Sequence, residues 1–533
     1  MFEIAELGRK LSRQEYKERI PELRTELLEA QRKLLADASF PTIIVFAGVD
    51  GAGKGEIVNL LSGWLDPRWL VTRAYGQPSE EERDRPEYWR YWRDLPPKGQ
   101  IGLFLSCWYS SPVLRKVIDD APLADFDEQL DRITAFEQGL SDDGALILKF
   151  WLHLDKASQK KHFKKLEKDP ELSWRVTETD WKHWRLYDRF IEAAERTIRK
   201  TSTGHAPWKI IEGSDLGYSS TQVGALISES IEKHIERTQR RAAVARAHRE
   251  AEAAAAVTTA AQVTEPADST DDEATVMAAD EAVTSQGQPT VLSSLDMTQK
   301  LGKAEYNRQL NRYQGLLNRL HREARERKLS TLLLFEGWDA AGKGGAIRRI
   351  TSALDARSYQ VIPIAAPTDE ERAQHYLWRF WRHLPRSGRT TVFDRTWYGR
   401  VLVERVEGFA TEIEWMRAYS EINDFEEQLV EYGTVLVKYW VHITAHEQLE
   451  RFRLREVTPH KAWKLTDEDW RNRERWDDYE QAVNDMVERT STRIAPWTLI
   501  EGNDKRYARV AVLRALCEQL EAALDKGKKG DKK

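Results

Sequence analysis

The sequence predicts an α/β protein made of two tandem three-layer α/β/α domains with parallel sheets, and three observations carry that expectation. A glycine-rich loop between an apolar run and a helical run occurs twice, as GVDGAGKGE (48–56) and GWDAAGKGG (337–345). Adding 289, the spacing of Gly337 from Gly48, carries the first half onto the second without a gap from Phe46 to Asp215, so the chain is an internal duplication. Short apolar runs alternate with helical stretches of roughly ten or more residues, the pattern of parallel β-α-β units.

The second loop is the more complete. Leu332 to Phe335 reads as a short buried strand, and Gly337 to Lys343 then matches the G-x-x-x-x-G-K spacing. Gly337 and Gly342 permit a tight turn that aims backbone N–H groups at a polyanion, the following helix offers its positive end, and Lys343 adds a mobile charge. The Ser or Thr that usually follows the lysine is replaced by Gly344, with Gly345 after it. A metal here therefore needs another oxygen, and Asp339 is the nearest carboxylate. A turn serving only packing is the plainer alternative, but strand, glycines, lysine and helix all fall where phosphate binding requires them.

Composition narrows the class. A chain of 533 residues, 41% hydrophobic, exceeds what one core usually serves, so two domains are the prior. No run approaches the length of a membrane span, and MFEIAELGRKLSRQ at the start has no apolar stretch, so neither a membrane segment nor a signal peptide is expected and a cytoplasmic location follows. Cys107 and Cys517 are too few and too far apart for a disulfide scaffold or a zinc cluster. The net charge of -5 argues against a general nucleic-acid or membrane binder, while leaving room for local basic clusters that hold an anion.

In chain order, Leu7, Leu11, Ile20, Leu23, Leu27 and Leu34 recur at mostly helical spacing and predict an N-terminal helical arm, followed by a strand at 42–47 and the first loop. The first domain is assigned to 1–240. Residues 241–297 are expected to be a flexible linker, since 254–290 is nearly all Ala, Thr, Ser, Asp, Glu and Gln and cannot bury enough surface to offset its ordering entropy. A second arm (298–328) opens a second domain at 298–525, and 526–533 is a basic tail. Strands are expected there at 331–335, 360–364, 390–393, 434–439 and 497–500, with helices between. In such sheets the ligand lies beyond the carboxyl ends of the strands, where the loop sits. Strand order is not readable from the sequence.

A second chemical feature follows the third strand. VFDRTWYGR (392–400) puts Asp394 at a strand's carboxyl end, where a carboxylate can meet magnesium, with Arg395 and Arg400 placed to flank a transferring phosphoryl group. A lone Asp-Arg pair in a loop is usually a salt bridge. Its position one strand after the glycine loop raises the functional reading above that one.

GWDAAGKGG and DRTWYGR, with FEEQL (425–429), KYWVHI (438–443), AWKL (462–465) and APW (495–497), resemble the second family of polyphosphate kinases. The resemblance covers essentially all of 298–509 and, in weaker form, 40–215. It implies P-loop kinase-like domains, each with a helical arm and a lid segment, that move phosphoryl groups between inorganic polyphosphate and nucleotides with Mg2+. Fused two-domain members resemble polyphosphate:AMP phosphotransferases, so AMP and ADP are the implied partners. By the same resemblance Asp339, Lys343, Asp394, Arg395 and Arg400 are catalytic, with Asp339 and Asp394 on the metal.

A polyanion of that kind is bound by replacing its counterions with Lys and Arg. Arg372 and Arg379 in one cluster, and Arg453, Arg455, Lys461 and Lys464 in another, are candidates beside Gly337, Gly342, Gly344 and Gly345, the second cluster as a lid that begins at Arg451. For Arg379, beside Trp378, structural packing is an equal alternative. Whether a tryptophan stacks a base is not readable, and His383 and His442 read as surface or core histidines rather than covalent carriers. Under the 289 offset, Leu105, Ser106 and Ser111 replace Asp394, Arg395 and Arg400, and Glu56 replaces Gly345, while Asp50 and Lys54 remain. The first domain is accordingly expected to be catalytically silent. Rival readings are a polyphosphate-dependent nucleoside diphosphate kinase, an ATP-dependent nucleotide kinase and a non-enzymatic polyphosphate or nucleotide sensor. A homo-oligomer is compatible with the sequence.

Overall fold

The computed structural model describes residues 1–262, 290–458 and 465–530. Each half holds a five-stranded, all-parallel sheet. In the first the strands are β1 (Thr42–Gly48), β2 (Leu70–Ala74), β3 (Ile101–Leu105), β4 (Leu146–His153) and β5 (Trp208–Glu212), in the order β2-β3-β1-β4-β5. In the second they are β6 (Thr331–Gly337), β7 (Tyr359–Pro363), β8 (Thr390–Asp394), β9 (Val435–His442) and β10 (Trp497–Glu501), in the equivalent order β7-β8-β6-β9-β10.

The central strands read as unbroken apolar runs because helices cover both faces of a parallel sheet. Leu332, Leu333, Leu334 and Phe335 of β6 are all buried. From β6 the chain winds to one side for β7 and β8, then crosses to the other for β9 and β10. Winding direction therefore reverses at β6, where an open α/β sheet leaves a crevice for ligand, and the glycine loop leaves that strand. The arm helix Lys303–Glu326 packs on the C-terminal helix Lys505–Gly530, and its Leu317, Leu320 and Ala324 are buried.

One buried polar network recurs in both halves. Lys438 Nζ on β9 donates to Glu426 Oε2 (2.7 Å), the Tyr398 hydroxyl (2.9 Å) and the Thr490 carbonyl (2.8 Å). Lys149 makes the matching bonds to Glu137 (2.6 Å), Tyr109 (2.9 Å) and Thr201 (2.7 Å). A buried ammonium is tolerated only with this degree of pairing.

The domain boundaries differ from those expected. The helix that closes the first half runs Leu216–Gln262, so the boundary at 240 falls inside a helix. Alanine, the feature that suggested a linker, is also the strongest helix former, and it continues the helix through 254–262. The rest of the expected linker, 263–289, lies outside the described residues. The second half begins before 298, since Leu292 is buried and its N–H donates to Asn484 Oδ1 at 3.2 Å. The expected basic tail is helical as far as Gly530. By contact the chain divides into one unit of Met1–Gln77 with Asp94–Ser285 and a second of Pro78–Arg93 with Gln286–Lys533. Inside the second unit Asp84 accepts from Arg386 at 2.7 Å and Trp92 lies on Trp381 with ring centroids 5.8 Å apart. Among the described residues no helix is long and apolar enough to cross a membrane.

Candidate active site

The loop geometry follows from two glycines. Gly337 has φ +148°, and a Cβ there would lie 2.4 Å from the Val441 carbonyl oxygen of β9, so a side chain would push the loop off the sheet. Gly342, at φ +113°, caps the helix Lys343–Thr351 and turns its N-terminus inward. Gly344 and Gly345 open the first turn of that helix, with the Arg509 guanidinium 3.5 Å from where a Gly345 Cβ would stand. Lys343 Nζ folds back on the loop and donates to the carbonyls of Gly337 and Trp338. An ammonium held by carbonyls can exchange them for phosphate oxygens.

Asp339 sits at the centre of the loop. Its Oδ2 accepts from Asn472 Nδ2 at 3.0 Å, and its Oδ1 lies 3.4 Å from Arg395 Nη2. Asp394 ends β8 opposite Phe335 of β6, which places it one strand across from the loop. Among the described residues no hydrogen bond or ion pair engages its carboxylate. Arg395 also approaches Glu468 at 3.7 Å and keeps 44% of its side chain exposed. Arg400 pairs with Glu404 at 3.0 Å and its guanidinium lies 4.6 Å over the Tyr376 ring. Burial pushes the Glu404 carboxyl up, against the pull of Arg400 and Arg379.

Two carboxylates, one of them unengaged, suit a hard cation that keeps most of its waters and completes its shell with substrate phosphates. Among the described residues no cluster of three metal-ligating side chains occurs, so an all-protein cage is absent there.

Among the described residues, the outlying basic ones expected to meet the phosphates have protein partners of their own. Arg372 is held by Asp369 and donates to the Pro367 carbonyl at 2.7 Å, and Arg379 pairs with Glu371 at 3.3 Å and donates to the Ala365 carbonyl at 3.0 Å. These partners are acidic and carbonyl groups of their own segment. Arg451, expected to begin the lid, is buried and braces the loop. It donates to the carbonyls of Ala340 (2.9 Å), Ala341 (2.8 Å), Gly502 (2.6 Å) and Asn503 (2.9 Å). Arg453 is exposed beside Glu450 at 3.1 Å, and Arg455 stands over the Phe452 ring, both on the helix Ala445–Glu456. Lys461 and Lys464 lie outside the described residues.

His442 is a core residue, its Nδ1 accepting from Trp338 Nε1 at 3.1 Å, and burial pulls its pKa down to about 4. Burial also lowers that of His383. Trp338 stacks on Trp476 at 3.7 Å, which occupies that face of the ring. Motif reading missed Asn472 on Asp339 and Glu336, which accepts from Thr396, and it gave Arg451 to a lid rather than to the loop it braces. The offset signals all three, since Asn472 corresponds to His183, Arg451 to His162 and Glu336 to Ala47 in the first half.

The first loop keeps the backbone form. Gly48 has φ +134° against β4, and Lys54 Nζ donates to the carbonyls of Gly48 (2.7 Å) and Val49 (2.8 Å). Asp50 is engaged by His183 at 2.8 Å and Lys54 at 3.5 Å. Burial opposes ionisation of Asp50, but those two cations win and hold its pKa at about 2. Glu56, in the first turn of the helix Lys54–Trp64, pairs with Arg175. Leu105 ends β3 where Asp394 ends β8.

A family model described as Polyphosphate kinase 2 matches residues 10–239 and 300–528. A polyphosphate:AMP phosphotransferase of Pseudomonas aeruginosa is 48% identical over 528 residues, covering 99% of this chain and 100% of that one. An ADP-polyphosphate phosphotransferase 2 of Rhizobium meliloti is 42% identical over 220 residues, 41% of this chain and 72% of that one. A solved structure of a polyphosphate kinase 2 from Pseudomonas aeruginosa matches with a TM-score of 0.83 at 45% identity, over 99% of this chain and 100% of the other.

Proposed function

Because the chain belongs to the polyphosphate kinase 2 family, we propose that it transfers the terminal phosphoryl group of inorganic polyphosphate to AMP, giving ADP and a chain shorter by one phosphate. The observation that carries AMP as acceptor is coverage. The relative matched end to end, both halves included, is named for AMP, whereas the one named for ADP matches about one half.

The second half is assigned the chemistry. An oxygen of the AMP α-phosphate attacks the terminal phosphorus in line, and the bond from that phosphorus to its bridging oxygen breaks, leaving the negative charge on the shortened chain. Phosphoryl transfer asks for positioning and charge neutralisation more than covalent work. Lys343 and the inward N–H groups of 337–343 take the phosphate oxygens, exchanging the carbonyls that Lys343 now holds. Arg395 and Arg400 give up Asp339 and Glu404 for the equatorial oxygens of the transferring group. Asp339 and Asp394 would hold Mg2+, which when bound neutralises and orients phosphate oxygens. Arg453, Arg455, Lys461 and Lys464 are assigned to the polyphosphate chain, and a cytoplasmic location belongs to the same reading.

The test offers the purified chain AMP, ADP, GMP or GDP with polyphosphate and magnesium and identifies the products. ADP formed from AMP without any added ATP is expected. Turnover of ADP or GDP alone, a requirement for ATP as donor, or binding without turnover would each replace the proposal with a rival reading.

A further inference from the structure

The two halves share one fold and one buried network but differ at positions around the loop, and that contrast points to a pair to which the motifs assign no role. Glu336, the residue before Gly337, is buried at 6% exposure. Its Oε1 accepts from the Thr396 N–H at 2.7 Å and from the Thr396 hydroxyl at 2.8 Å. One residue earlier on each segment, the Arg395 N–H donates to the Phe335 carbonyl at 3.1 Å. The end of β6 and the turn after β8 are thus joined at two successive residues, next to Asp394 and Arg395.

In the first half the same positions hold Ala47 and Cys107, so the side-chain bond cannot form. The neighbouring contacts persist almost unchanged. Trp397 Nε1 and the Tyr398 hydroxyl reach Glu426 at 3.1 and 2.6 Å, and Trp108 and Tyr109 reach Glu137 at 3.0 and 2.7 Å. The turn itself does not depend on the pair, since Ser106 takes the left-handed φ of 48° beside Cys107 much as Arg395 takes 64° beside Thr396. A buried carboxyl is also a costly way to hold a turn. What is lost together in the first half is Glu336, Asp394, Arg395, Thr396 and Arg400, the acidic and basic groups with the bond that ties them to the loop strand.

We propose that Glu336 and Thr396 are a positioning pair that fixes Asp394 and Arg395 against the glycine loop during phosphoryl transfer, an inference that rests on the second half being the transferring half. The pair touches neither substrate nor metal. It acts by restraining the groups that do, where small misplacements are expensive in rate.

The experiment compares Glu336→Ala, Thr396→Val, their double variant and Thr396→Ser in the full chain. Each of the first two is expected to lower kcat by about ten- to a hundredfold, the range for a lost hydrogen bond to a charged group, with KM for AMP and polyphosphate within about twofold. The double variant should be no worse than the poorer single one, and Thr396→Ser, which keeps both donors, should stay near the parent. Amide hydrogen exchange reads the bond without turnover, and should quicken at 394–397 in Glu336→Ala while β9 stays protected. Unchanged kcat in an active Glu336→Ala protein, a rise in KM alone, additive losses, or unchanged exchange would each overturn the pair. A parent inactive toward every nucleotide offered would overturn the functional reading instead, with exchange still deciding whether the bond restrains the turn.

Discussion

Asp394, proposed as a metal ligand, gives the simplest test, because its carboxylate is engaged by no hydrogen bond or ion pair among the described residues and little folding energy rests on it. Asp394→Asn is expected to leave the melting temperature within a few degrees of the parent and to lower kcat by at least about a hundredfold, the scale of one lost electrostatic contact in a transition state. Steady-state kinetics beside thermal unfolding check it, and near-parental turnover would remove Asp394 from the mechanism. His442 gives a second test at this scale. Burial lowers its pKa from 6.5 to about 4, so between those values the unfolded chain binds a proton that the folded one does not. The stability that depends on neutral His442 is therefore complete above pH 6.5 and falls away as the pH drops toward 4, by on the order of 1–3 kcal/mol. His442→Gln should flatten the decline in denaturant midpoint between pH 7 and pH 4.5, and an unaltered slope would contradict the assignment.

At the scale of elements, the buried lysine network ties β9 to the helix Glu412–Glu431 and to the turn that follows β8. Lys438→Met should destabilise the chain by about 3–5 kcal/mol, because it strands the Glu426 carboxylate in the core. Adding Glu426→Gln should recover much of that loss, as urea unfolding would measure, and equal losses in the single and double variants would show the pair itself to be the source of stability. Most elements were legible in the sequence. All five strands of the second half fall within a few residues of their expected places, since apolar runs such as Leu332 to Phe335 are what a strand covered on both faces demands. Legibility failed where two physical tendencies share a composition. The alanine-rich run after 240 argues against a core and equally for a helix, and helix propensity prevails as far as Gln262. It failed also for long basic side chains, whose partners lie far away in sequence. Arg451 reads like its neighbours Arg453 and Arg455, yet it is turned inward onto carbonyls of Ala340, Ala341, Gly502 and Asn503.

For the whole molecule we propose a division of labour, one half that transfers and one that keeps the fold without the chemistry. Both lysines rest on carbonyls of their own loops in nearly the same pose, Lys343 on Gly337 and Trp338 and Lys54 on Gly48 and Val49. Loop geometry alone therefore does not separate the halves. The separation lies in Asp394, Arg395 and Arg400 against Leu105, Ser106 and Ser111, and in the carboxylate of Glu56 paired with Arg175 at the first loop. The most direct test measures kcat and KM for AMP and polyphosphate in Lys343→Ala and Lys54→Ala, with circular dichroism to establish that both are folded. Lys343→Ala is expected to lose kcat by more than about a hundredfold, while Lys54→Ala keeps kcat within about twofold and at most raises the KM for polyphosphate, the signature of lost uniform binding. A comparable collapse of kcat in both folded variants would contradict the account and place the first loop in the chemistry.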